Sequence, residues 1–108
     1  KDANYCDQRD KEEGNKIGQI ASEVAKFLED SARVRQEYPQ TFKVRRLKML
    51  PSVNIFRMDS EILWGPYLVG EQSRNMPTLL VRDQGYLGLA LRSHFDKIWG
   101  DDELSEEV

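Results

Sequence analysis

The chain has 108 residues, 39% hydrophobic and 32% charged, with a formal net charge of −3 and one cysteine. That length suits one small domain with a modest core, and charges of both signs mixed along the chain argue against general disorder. The negative balance speaks against nucleic acid or an anionic membrane as the main partner, no apolar run approaches the roughly 18 residues of a membrane span, and Cys6 alone makes neither an internal disulfide nor a cysteine-rich metal site.

Residues 1–14 are polar, end in Gly14 and read as a lead-in. From Asn15 to about Tyr38 the pattern is helical: Ile17, Ile20, Ala21, Val24, Leu28 and Ala32 recur at spacings of three and four, with Phe27 at the edge of the stripe. Pro39 ends that helix, because it lacks the amide and disfavours helix at Tyr38. Thr41 to Leu50 alternates apolar Phe42, Val44, Leu47 and Met49 with basic Lys43, Arg45, Arg46 and Lys48, which predicts a strand with one basic face and a bulge at Arg45-Arg46. Val53–Met58 predicts a second strand, Asp59-Ser60-Glu61 a turn, and Ile62–Trp64 the return strand of a hairpin, interrupted by Gly65-Pro66.

Residues 71–77 read as a polar loop, and Thr78–Val81 as a short apolar strand suited to a buried central position. Asp83-Gln84-Gly85 turns the chain into a helix over Tyr86–Trp99, with Leu87, Leu91, His94 or Phe95, and Ile98 on one stripe and Gly100 as its C-cap. Residues 101–108 are acidic and predict a frayed tail. The expected fold is α/β, with α+β as the alternative. A sheet of about four strands would lie between an N-terminal and a C-terminal helix, in one domain over residues 15–100. No signal peptide is visible and the chain opens on Lys1, so a cytoplasmic setting and a larger parent protein are expected.

The octad Ser52-Val53-Asn54-Ile55-Phe56-Arg57-Met58-Asp59 has the length and trailing Asp of the His-x-Lys-x4-Asp signature. It is followed by Trp64-Gly65-Pro66-Tyr67, then Thr78-Leu79-Leu80-Val81, then Phe95-Asp96-Lys97-Ile98-Trp99. In that order and spacing, residues 41–99 resemble half of a phospholipase D-like domain. The resemblance implies a strand carrying the reactive groups, a hairpin with Asp in its turn, a buried strand and a closing helix. Only Asp59 matches the signature: Ser52 stands where the nucleophilic His is expected and Asn54 where the phosphate-binding Lys is expected. Pro66 replaces the hydroxyl residue that helps hold the anion. Phosphodiester cleavage therefore lacks its nucleophile and its cation. Degenerate halves of this kind serve as ligand-binding or dimerisation domains of prokaryotic regulatory proteins.

The basic run at 43–48, joined by Arg57, is of the kind that binds phosphate or nucleic acid. The simpler expectation is a solvated strand face paired with Asp and Glu of a neighbour. If the strand lies against the hairpin, Arg45 and Arg57 line one groove for a small anion, with Asp59, Ser52 and Asn54 beside them. His94 is the sole histidine and is expected to pack its ring at a boundary. It makes no metal site with Asp96, two residues away on another helix face. Trp64, Tyr67 and Tyr86 are expected to fill space, Glu103, Glu106 and Glu107 to solubilise, and no cofactor is expected.

The residues thus point first to a non-catalytic regulatory, ligand-sensing or dimerisation domain, more an interaction module than an enzyme. Two alternatives stay open. One is a phosphodiesterase or phosphatidyltransferase-like fragment needing a partner half, and the other a nucleic-acid-binding module using the basic strand.

Overall fold

The computed structural model describes residues 2–72 and 75–108; Lys1 of the lead-in and Ser73 and Arg74 of the expected polar loop lie outside the described residues. The elements run α1 (Asp2–Glu13), α2 (Gln19–Glu37), β1 (Arg45–Leu47), β2 (Val53–Met58), β3 (Glu61–Pro66), β4 (Leu79–Arg82), α3 (Tyr86–Trp99) and β5 (Ser105–Glu107). β2, β3 and β4 form one antiparallel sheet in that order, while β1 and β5 form a second, two-stranded one. The mixed helix-and-sheet class follows the expectation. The sheet is split in two, however, and one helix and one strand are added.

The β2–β3 hairpin is the most locally specified part. Met58 pairs with Glu61, which leaves a two-residue turn of Asp59 and Ser60. Asp59 takes φ 54°, a left-handed conformation that Asp tolerates better than most residues. Strand alternation then sorts the sheet into two faces. Ile55, Arg57, Ile62, Trp64 and Val81 share the face turned to α3, while Phe56, Met58, Glu61, Leu63, Leu80 and Arg82 share the other.

α3 lies close against β4 because Gly88 is buried there: a Cβ at this position would run into the Arg82 carbonyl. Gly65 plays a similar part on β3, where a Cβ would come 2.8 Å from the Pro77 carbonyl oxygen. Ile62 and Leu91 are the two buried hydrophobic residues of the core among the described residues.

Four expectations change. Residues within the 1–14 lead-in form α1, whose hydrophobic content is too low to show a stripe. It is held instead by Arg9, which is buried, pairs with Glu12 and Glu13, donates to the carbonyls of Leu68 and Glu71, and lies over the Tyr67 ring. β1 covers three residues of the expected 41–50 and carries no bulge, since Arg45, Arg46 and Leu47 pair in step with Glu107, Glu106 and Ser105. β4 is an edge strand with Leu79 and Leu80 exposed, and β3 takes the central place. The expected frayed acidic tail contains β5, because its acidic side chains and backbone find the basic strand.

Candidate functional site

A cavity of about 210 Å³ opens where β1, the start of β2 and α3 meet. Arg45, Ser52, Ile55, His94, Phe95 and Trp99 are among its walls. Each element contributes for a local reason. Pro51 halts the chain before β2 and leaves exposed Ser52 at the cavity lip. The helical stripe of α3 brings His94, Phe95 and Ile98 to the same wall, and Phe95 stacks on Trp99 at 5.6 Å between ring centroids.

A serine and a histidine on one cavity are the pair that nucleophilic transfer uses when the hydroxyl hydrogen-bonds the imidazole. Among the described residues no hydrogen bond joins Ser52 to His94, so the hydroxyl has no base in place. Arg45 reaches the cavity but is engaged. Its guanidinium donates to the Ser105 hydroxyl at 2.8 Å, to the Ser105 carbonyl at 2.9 Å and to Asp102 at 2.8 Å, and it lies over the Trp99 ring at 5.9 Å. With a side chain 12% exposed, it works chiefly as a clamp between β5 and α3.

The structure does not bring Arg45 and Arg57 to one groove. β1 pairs with β5 and not with the hairpin, and Arg57 is not among the cavity walls. Arg57 instead donates to the Asp83 carboxylate at 3.1 Å, with Arg92 at 3.9 Å from the same oxygen. Asp83 is buried, so this carboxylate is enclosed by two guanidiniums and holds the hairpin to the turn before α3. Asn54 lies on β2 with its Nδ2 near Gly65, and Asp59 sits in the hairpin turn. Of the five candidate residues, Arg45 and Ser52 share the cavity, while Arg57, Asn54 and Asp59 lie outside it.

The simpler expectation for the basic run, a face paired with Asp and Glu of a neighbour, holds, and the neighbour is the acidic segment 101–107. Arg46 pairs with Glu106, and Lys48 approaches the same carboxylate at 4.0 Å. The signal was present in opposite-charge runs at 43–48 and 101–107, but nothing in it specified which neighbour each run would find. Asp10 was missed altogether. Fully buried, it accepts from the Gly18 amide at 3.0 Å and the Ile20 amide at 3.2 Å, so α1 caps the start of α2 across a loop.

Among the described residues no group of His, Cys, Asp and Glu is placed to hold a metal ion, and no helix is long and apolar enough to cross a membrane. A second, apolar groove of about 580 Å³ runs between α1, α2 and residues 44–51, with Cys6, Val24, Leu28 and Met49 on its walls. No family model, curated protein or solved structure matches the chain.

Proposed function

We propose that this chain is a non-catalytic regulatory and dimerisation domain of a larger prokaryotic, cytoplasmic protein, built on a frame that resembles a degenerate phospholipase D-like half. The observation that carries the reading is the outer face of the β2–β3–β4 sheet. Phe56, Met58, Leu63 and Leu80 stand together there and remain 40–60% exposed. A contiguous apolar face on a small domain is the mark of an interaction surface. Glu61 and Arg82 are paired across β3 and β4 on the same face, so the apolar row is flanked by both signs of charge. A two-fold interface requires a patch that complements itself, and this composition meets that requirement. The engaged arginines and the unjoined Ser52 and His94 support a domain without phosphodiester chemistry.

Native mass spectrometry of the chain across a concentration series tests this. A dimer is expected in the wild type and a monomer in Phe56→Glu/Leu80→Glu, whose positions are exposed and whose fold is expected to persist. A wild type that stays monomeric overturns the dimer. Phosphodiesterase activity that disappears in Ser52→Ala overturns the non-catalytic reading and favours the enzyme fragment.

A further inference from the structure

β1 and β5 are an unusual pair. β1 carries Arg45 and Arg46, with Lys48 just beyond, and all three meet carboxylates from a segment some sixty residues away. The backbone bonds of this sheet span only three paired residues plus the bond from the Lys48 amide to the Leu104 carbonyl at 2.8 Å. The pairs reach solvent from the Asp102 side and at Arg46–Glu106: Asp102 is 93% exposed, Arg46 41% and Glu106 35%, while Arg45 itself is 12% exposed. Pairs of this kind are weak and are screened by salt. Ser105 is also a wall of the 210 Å³ cavity, and its hydroxyl donates to the Ile98 carbonyl at 2.7 Å. Movement of β5 would therefore uncover the basic strand and open the cavity together.

We propose that β1 is a docking strand for an extended acidic peptide, kept occupied in the isolated chain by β5 as a resident pseudo-ligand. The resident segment supplies the template for the ligand. The carboxylate of Asp102, in the turn before β5, reaches Arg45; on β5 itself, which adds antiparallel to β1, a small hydroxyl residue sits opposite Leu47 and a carboxylate opposite Arg46. Strand addition of this type takes its affinity from main-chain bonds and its selectivity from alternating side chains. An incoming segment competes with β5, and the site answers to whatever loosens that strand. This surface is separate from the outer sheet face, so it stands or falls independently of dimerisation.

The test uses the full chain and a fluorescent peptide of the sequence of residues 101–108. Asp102→Asn/Glu106→Gln weakens the resident strand and leaves the basic residues in place. Peptide binding to this variant is expected to be at least ten-fold tighter than to the wild type, to weaken with added salt, and to be lost when Arg46→Glu is added. A scrambled peptide of equal charge is expected to bind at least ten-fold more weakly. Equal binding of the scrambled peptide overturns the proposal, as does a folded double variant that binds no peptide. An oligonucleotide that binds where the peptide does not overturns it in favour of nucleic acid. Should the variant not fold, hydrogen exchange on the wild type decides. The Lys48 amide should lose protection with rising salt while the amides of the β2–β3 hairpin keep theirs, and equal protection at every salt concentration overturns the displaceable strand.

Discussion

Gly88 and Asp59 show how single residues constrain this molecule by different means. At Gly88 the issue is space: the missing Cβ lets α3 settle against the Arg82 carbonyl. Gly88→Ala would lift the helix from β4 and is expected to cost about 3 kcal/mol, by overpacking a site backed by rigid backbone. Urea unfolding would measure the loss, and an unchanged midpoint would mean that the helix can slide. At Asp59 the issue is conformation, since its φ of 54° is left-handed. Asp59→Val is expected to cost about 1–2 kcal/mol and Asp59→Gly to be nearly neutral. The same urea measurement separates the two, and equal losses would show that the carboxylate itself matters more than the turn. The one residue that matches the phospholipase D-like signature thus has a sufficient conformational reason to be an Asp.

Among the elements, α1 and α2 form a unit joined end to side. Gly18, at the N-cap of α2, has no side chain to cap the helix, and Asp10 of α1 accepts its amide and that of Ile20. Asp10→Ala would leave those half-buried amides without their acceptor, at a cost of about 1–2 kcal/mol. Thermal unfolding followed by circular dichroism would register it, and an unaltered curve would show α2 holding without α1.

The elements legible in the sequence are those fixed by near neighbours. β2 coincides with the run Val53–Met58 and α3 with Tyr86–Trp99, because alternation, the Asp59 turn, the 83–85 turn and Gly100 act within a few residues. α1 and β5 escaped because their stabilisation is distant. Arg9 reaches carbonyls some sixty residues away, and β5 exists only where β1 does. The candidate site was legible in part for the same reason. Ser52 and the basic strand were in view, but the placement of Arg57 against Asp83 and the seal of Ser105 over Arg45 depend on packing between elements.

At the scale of the whole molecule the chain is a slab. Its extents are 38 × 37 × 24 Å and its radius of gyration is 14.7 Å, against about 13 Å for a typical domain of this length. A thin body has little interior, which fits a core whose buried hydrophobic residues, among the described residues, are Ile62 and Leu91. Stacking a second slab on the outer sheet face would give Phe56, Leu63 and Leu80 the interior they lack. Folding and association are then coupled by mass action, so the melting temperature of the wild type is expected to rise with protein concentration. That of Phe56→Glu/Leu80→Glu is expected to stay constant. A wild-type melting temperature independent of concentration would count against the dimer.

The pairing of β1 with β5 has one more consequence, for the moment of synthesis. Arg45 emerges from the ribosome some sixty residues before Ser105, and at ordinary translation rates that interval is about 3–12 s. The α1–α2 pair and the hairpin can form within it, since their partners are already made. β1 cannot. For those seconds every nascent copy presents its arginine-rich strand bare, beside ribosomal RNA and any acidic chain in reach, until its own Glu106 arrives to cover it.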